Sequence, residues 1–442
     1  MDRPGPEIAD VPFREALSFW VRLGFINFGG PTGQIALMHT ELVERRRWID
    51  EHRYLHALNF AMLLPGPEAH QLAIYSGWLL NGSAGAIAAG VFFLLPAFVL
   101  MVGLSWLYAV HGDVSWVAGI FEGLAWGVVG IVAAALLRIG ARALAGPGPV
   151  AMSVVAFLAL FLFGVPFPLV IAAAGGVGLL VGLGADPADG PDEVARGADA
   201  DRARPTWRRA ARVLAVGTFV WLAPLALVIA AVGTDSVLAE EAVFFSFMAL
   251  VTFGGAYAVL SYMNQAAVVR FGWVTSQEMA VGLSLAETTP GPLILVVVFV
   301  GFLAAFAEPG TLTSIQAGLV GAFVAAWATF VPSFLWIFVG APSVERLRGN
   351  RRLASALRAI TAAVVGVIAN IAVVFATSVL FGEVRVATPF GHEVAVPVPS
   401  SLDVLAAAVA AAAFAAIRRF EVNVVWVVIG AGLVGLVDVL VG

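Results

Sequence analysis

The sequence contains no cysteine. This excludes disulfides, thiolate nucleophiles and thiolate-bound metals, and with them any thiol-dependent reductase. Lysine is absent too, so all 24 basic residues are arginine. Arginine suits bidentate contact with an oxyanion, although a coding bias towards Ala, Gly, Val and Arg accounts for the same absence. Charge of either sign is scarce: charged residues make up 12% of 442, against 61% hydrophobic. Soluble domains carry roughly twice that share of charge, so the balance is that of a bilayer protein. No cleaved secretory signal is expected, because Met1–Val11 is polar and the first apolar run carries Arg22.

What the chain has instead is long apolar runs. Gly85–Val110, Trp116–Leu137, Val213–Val232, Ala362–Phe381 and Asn423–Val441 approach the ~20 residues of a spanning helix. They are continuously apolar and do not alternate, which predicts helices and not a barrel. The expected fold class is an all-α polytopic membrane protein. One stretch differs: Asp186–Trp207 is charged, with Pro and Gly and no apolar period, and reads as a soluble linker.

That linker divides the chain near its middle, and the halves repeat. At a shift of 225 positions Phe28-Gly29-Gly30 falls on Phe253-Gly254-Gly255, Met38 on Met263, Arg45 on Arg270, and Trp48 on Trp273. Pro65-Gly66-Pro67 falls on Pro290-Gly291-Pro292, with no gap between. Apolar low complexity does not generate matches in Gly, Pro, Trp and Arg. The reading is a first repeat over 12–184, a linker over 185–209, a connecting transmembrane helix over 210–234, and a second repeat over 240–442.

Arginine sets the orientation. Clusters at Arg45–Arg53, Arg138/Arg142, Arg196–Arg212, Arg346–Arg358 and Arg418/Arg419 all fall in the cytoplasm when spans are threaded near 85–110, 116–137, 149–164, 166–184, 213–232, 312–340, 360–381, 402–417 and 423–441. Arg270 is the exception. The single connecting helix makes the second repeat inverted relative to the first. The N-terminus is then cytoplasmic and the C-terminus outside.

The segments ahead of those spans are too short to cross. Ala16–Phe28 with Pro31–Val43, and Tyr54–Leu64 with Pro67–Leu80, read as re-entrant helical hairpins. Ala242–Phe253 with Tyr257–Val269, and Gln277–Thr289 with Pro292–Ala305, repeat them; kinked spans are the plainer alternative. Glycine stops a helix and proline starts one. Each Gly-Gly and Pro-Gly-Pro is thus a break at membrane depth, tolerated only inside protein or beside a wet cavity. A helix N-terminus is a ready anion site. The helices expected to start at Pro31, Pro67, Ala256 and Pro292 could direct four of them inward. Candidate binding residues are Asn27, Gly29, Gly30, Thr32, Gln34, Pro65, Gly66, Pro67, Glu68, His70, Gln71, Thr252, Gly254, Gly255, Thr288, Thr289, Pro290, Gly291 and Pro292. Packing kinks are the alternative reading.

Ionisable groups at this depth are costly. Glu68, Glu287 and Arg22 are therefore coupling candidates, with helix capping as the alternative for Glu68 and a snorkelling side chain for Arg22. Glu122 lies in the small-residue seam Gly119-xxx-Gly123-xxx-Gly127 and reads as structural. His52 and His56 lack a zinc-protease pattern. Gly175-Gly176-Val177-Gly178 reads as helix packing. Glu44-Arg45-Arg46-Arg47-Trp48 reads as a cytoplasmic rim with an interfacial tryptophan.

These residues resemble the chromate ion transporter family. The resemblance rests on Phe28-Gly29-Gly30-Pro31, Met38-His39, Glu44-Arg45-Arg46-Arg47-Trp48 and Met62-Leu63-Leu64-Pro65-Gly66-Pro67-Glu68-Ala69. In the second half it rests on Thr252-Phe253-Gly254-Gly255-Ala256-Tyr257, Gly272-Trp273-Val274 and Thr289-Pro290-Gly291-Pro292. The basic run is thinner there, with Arg270 alone. The resemblance implies a two-domain member in the plasma (inner) membrane, exporting chromate with sulfate as competitor. It implies no cofactor, no metal and no nucleic acid, and leaves room for a homodimer. Two other classes stay open: uptake of sulfate or another oxyanion, and a membrane enzyme, for which no redox motif or triad is present.

Overall fold

A computed structural model describes residues 10–181, 207–253, 256–340 and 351–441. The charged linker and the pair Gly254-Gly255 thus lie outside the described residues. The described chain is almost wholly helical. In the first half α1 is Phe13–Ile26, α2 Gly30–His39, α3 Glu51–Ala61, α4 Glu68–His111, α5 Ser115–Ala143, α6 Pro147–Phe163 and α7 Phe167–Val181. Next comes α8, Trp207–Val232. The second half has α9 Val237–Val251, α10 Ala256–Asn264, α11 Ser276–Thr288, α12 Val296–Ala307, α13 Ser314–Gly340, α14 Arg351–Leu380, α15 Val404–Phe420 and α16 Val424–Val441.

Among the described residues six helices are long and apolar enough to cross a membrane: α4, α5, α8, α13, α14 and α16. Their outer faces expose large apolar side chains such as Val99, Phe219 and Leu433, as lipid contact requires. Helix α4 is two helices in one, because Asn81 and Gly82 leave helical geometry and Gly82 adopts φ +61°. Its first part ends where the short arm is expected to end.

The elements recur with the sequence period. Helix α2 runs into a π-helical turn at Thr40–Arg45, and α10 runs into one at Gln265–Arg270, 225 positions on. Helix α3 is capped by Asp50, whose side chain accepts from the Arg53 N–H. At the equivalent place Thr275 caps α11 in a full capping box with Glu278. Neither the π turns nor the antiparallel hairpin β1 (Val384–Ala387) with β2 (Val394–Pro397) is signalled by periodicity.

The halves interleave. Helices α6 and α7 pack on α14 of the other half, while α15 and α16 pack on α5. Small residues make this possible. A Cβ on Gly123 would lie 2.9 Å from the Gly435 nitrogen, and one on Gly178 2.7 Å from Ala356 Cα. Both glycine runs read from sequence as packing seams are thus occupied by a facing helix. The seam on α5 also sets direction: Gly119 meets Gly435 and Val439 near the end of α16. The N–H of Asp403, which caps α15, donates to Leu380 at the end of α14 (2.9 Å). Helices α15 and α16 form a hairpin, so α5 begins at the end where α14 finishes, and the two run in opposite directions.

Candidate functional site

The first break is built by left-handed glycine. Gly29 (φ +96°) caps α2, Gly30 follows at φ +64°, and Pro31 supplies a helix start without an N–H. At the Pro-Gly-Pro segments Gly66 sits at φ +113° and Gly291 at φ +125°. The chain then turns into α4 after Pro67, and into a single 3-10 turn, Leu293–Leu295, that leads into α12. The second proline thus opens a 3-10 turn and not an α-helix as expected.

Each Pro-Gly-Pro docks on the end of the helix that precedes the glycine pair of the opposite half. The Gly66 N–H donates to the Thr252 carbonyl at the end of α9 (3.1 Å), and the Gly291 N–H donates to the Asn27 carbonyl at the end of α1 (3.2 Å). Asn27 and Thr252 are themselves 225 positions apart, as are the two glycines. The end carbonyls that a helix leaves unsatisfied are therefore answered across the pseudo-symmetric interface. The turn 293–295 touches both α4 and α10, which ties the two docked pairs together. Helix geometry leaves the first N–H groups of α4, at Glu68–His70, without an intrahelical partner.

The polar side chains around these breaks behave differently from expectation. Gln34, fully buried, donates its amide to the carbonyls of Asn27 and Gly291. Asn27 donates to the Phe93 carbonyl (3.3 Å) and Gln71 to the Pro65 carbonyl (2.7 Å). Their N–H groups brace broken backbone, and the amide oxygens of all three are left buried without a partner. Thr252, Thr288 and Thr289 bond back to their own helices. Thr32 and Arg22 are exposed. Glu122 is exposed as well.

His70 is fully buried, 3.2 Å from the Gly90 carbonyl, with its ring edge-on to Phe330 and Phe334 of α13 at 5.5 Å each. Glu68, at the first turn of α4, keeps part of its surface accessible. Glu287 is buried and accepts from the Tyr257 hydroxyl (2.8 Å), with the exposed Arg138 of α5 near enough to act on both. Trp48 is buried under Arg46, whose guanidinium stands 4.7 Å over its ring. It anchors the basic turn from within the protein.

Sequence reasoning missed two contributors. Ser333 is buried with a free hydroxyl, 3.4 Å from where a Cβ on Gly66 would stand. Tyr257 is the partner of Glu287. A signal for Ser333 exists: Pro96-Ala97-Phe98 recurs as Pro332-Ser333-Phe334, and Ala97 meets Gly291 as Ser333 meets Gly66. A longer connection before α13 hides it from an ungapped comparison. Among the described residues no group of His, Asp or Glu is placed to hold a metal ion.

Comparison with known proteins adds to this geometry. The family model described as chromate transporter matches residues 14–179 and 240–436. A chromate transport protein of Pseudomonas aeruginosa is 31% identical over 430 residues, covering 96% of this chain and 92% of that one. A chromate transport protein of Cupriavidus metallidurans is 29% identical over 372 residues, covering 82% of each. A probable chromate transport protein of Synechococcus elongatus is 29% identical over 370 residues, covering 82% of this chain and 84% of that one. No solved structure matches.

Proposed function

The chain belongs to the chromate transporter family, and from that premise we propose that it carries chromate out of the cytoplasm across the plasma membrane, with sulfate as a competing substrate. The halves act as inverted repeats over 12–184 and 240–442, joined by the linker and α8, with the N-terminus cytoplasmic. The observation that carries the reading is the reciprocal docking of each Pro-Gly-Pro on the helix end that precedes the other half's glycine pair. It gathers helix starts and non-helical backbone into one interior region, the arrangement in which an anion is held by backbone N–H groups and helix dipoles. One terminus contributes only about 0.3–2 kcal/mol, so several must act together on an ion whose dehydration costs tens of kcal/mol.

The substrate is held by backbone N–H groups at Gly29, Gly30 and Glu68, while the Gly66 and Gly291 N–H groups, given to Thr252 and Asn27, fix the breaks around it; Gly254 and Gly255, outside the described residues, are the second half's candidates. Asn27, Gln34 and Gln71 hold that backbone open. Export against a gradient is coupled to protons through Glu68, with Glu287 as the other candidate. Transport, not catalysis, is the activity, and a homodimer is compatible with it. Chromate flux into vesicles holding the purified protein, with and without a proton gradient and with sulfate or chloride as competitor, tests the reading. Sulfate should inhibit strongly and chloride weakly at equal concentration. Equal inhibition by both would count against a site tuned to dianions.

A further inference from the structure

Glu241 takes no part in the site described above, yet it is the most isolated carboxyl group in the described chain. It lies on α9, is 0% exposed, and neither carboxyl oxygen has a hydrogen-bond partner. It faces the crossing of α12 on α13. There a Cβ on Gly321 would collide with the Gly301 carbonyl and lie 3.0 Å from Glu241 Oε2. Packing alone does not call for a carboxyl group. The position 225 residues earlier is Ala16, also fully buried. The first half makes the same kind of crossing, Gly77 with Gly85, with no acid beside it.

Among the described residues no charge compensates Glu241. Helices α12 and α13 contain no ionisable residue. Helix α10 offers only the phenols of Tyr257 and Tyr262. Helix α8 carries Arg208, Arg209 and Arg212 at its far end, roughly 30 Å away at the helical rise. On α9 itself Glu240 is exposed. An uncompensated anion in such a place is strongly disfavoured. One turn above lies a cavity of about 170 Å³ lined by Asp235, Ser236, Val237, Leu238, Glu308 and Thr311, separated from Glu241 by buried side chains of α9. Val237 and Leu238 share a helix face with Glu241 at spacings of four and three.

We propose that Glu241 is a second proton-binding site, distinct from Glu68 at the break, that gates the α12–α13 crossing and is reached from the cavity at the α8–α9 turn. With the proton bound, the neutral group stays in the crossing and the helices remain closed. On release, the carboxylate needs water, and the crossing opens towards the cavity. In each cycle the proton is taken up from the compartment that the cavity faces and released to the opposite one, so that it moves down its gradient. Because α12 leads away from Gly291 and α13 carries Ser333 to Gly66, movement at this crossing reaches both breaks. The proposal rests on the proton-coupled transport reading and adds to Glu68, which responds to substrate, a second proton site that responds to the gradient.

The test uses purified full-length protein in lipid vesicles and two assays. One is exchange of labelled for unlabelled chromate without a pH difference, and the other is accumulation driven by a pH gradient. Glu241→Gln mimics the proton-bound group. It should exchange chromate within about twofold of wild type while losing gradient-driven accumulation at least tenfold. Glu241→Ala, which copies Ala16, should do the same. Retained accumulation in either variant overturns the proposal. Loss of exchange as well, in protein that remains monodisperse, also overturns it, since the role is then structural. A wild type that exchanges but ignores the gradient overturns the proton coupling and leaves transport standing, whereas a wild type without exchange sinks the transport reading itself. Infrared spectroscopy decides independently of flux: the C=O band of a neutral buried carboxylic acid must be present in wild type and missing from Glu241→Gln, and an unchanged band overturns the assignment.

Discussion

Gly66 and Gly291 hold backbone angles that cost an L-residue on the order of 1–3 kcal/mol, but their surroundings differ. A Cβ on Gly66 would stand 3.0 Å from Gln71 Nε2, the end of a flexible side chain, whereas one on Gly291 would stand 2.7 Å from Ala97 Cβ, fixed to a helix. Gly291→Ala should therefore lose more transport than Gly66→Ala, and Gly66→Leu and Gly291→Leu should both abolish it with protein still in the membrane. Flux per molecule of reconstituted protein reads this, and the reverse order for the alanines would refute the steric account. At Glu68 the question is charge. A carboxylate beside the first N–H groups of α4 repels a dianion, and a neutral acid does not, so substrate binding and protonation favour each other. Glu68→Gln should keep binding and flatten the dependence of flux on pH. A full wild-type pH profile in that variant transfers the coupling role to Glu287. The sequence made the glycines and prolines legible because their backbone chemistry is local. It did not reveal that Gln34, Gln71 and Asn27 donate to broken backbone, because an amide beside a helix start can face a ligand or a carbonyl. Only the opposing half, brought in from 257 residues away in the case of Gln34 and Gly291, decides which.

At the scale of elements, the interleaved packing depends on glycine where two backbones meet. Gly123 faces the backbone of Ala431 and Gly435, and Gly366 faces that of Ser153 and Phe157. Leucine at either place forces the helices apart. Overpacking costs about 1–3 kcal/mol when side chains can yield, and here backbone must move. Gly123→Leu and Gly366→Leu should each lower the melting temperature of the purified protein by several degrees. Gly176→Leu should leave it unchanged, since nothing stands within 4 Å of its Cβ position. Equal shifts in all three would mean that loss of glycine, and not the crossing, is being measured. Helix positions were legible because long apolar runs carry their own signal; the expected span 423–441 is found as Val424–Val441, while the expected span 402–417 is a helix, Val404–Phe420, that is not among the six long enough to cross. The bend at Asn81-Gly82 and the π turns were not, since both arise from how a segment fits its neighbours. The exchange of α6–α7 for α15–α16 was not legible either, because the small-residue seams show that a partner exists without naming it.

For the whole molecule the open quantity is which end faces the cytoplasm. The arginine clusters argue for one answer, and the packing makes it all-or-none. Gly164, in the turn between α6 and α7, abuts His392, and Phe163 stacks on Phe390 at 4.9 Å. The α6–α7 turn and the 383–400 segment therefore share one face. Gly178 of α7 meets Ser355 and Ala356 near the start of α14, so the segments flanking 182–206 and 341–350 share the other. Arginine is dense in both of these last stretches, at Arg196–Arg204 and Arg346–Arg351, while the 383–400 segment has only Arg385. From the positive-inside rule we expect 186–207 in the cytoplasm and 383–400 outside, on opposite sides of the membrane. The chain's lack of cysteine makes a direct assay clean. In intact cells an impermeant thiol reagent should label Ser401→Cys and not Ala198→Cys, and permeabilisation should add Ala198→Cys. Labelling of Ala198→Cys alone in intact cells would reverse the orientation while keeping the fold. Labelling of both would break the shared-face argument, and the inverted repeat would fall with it.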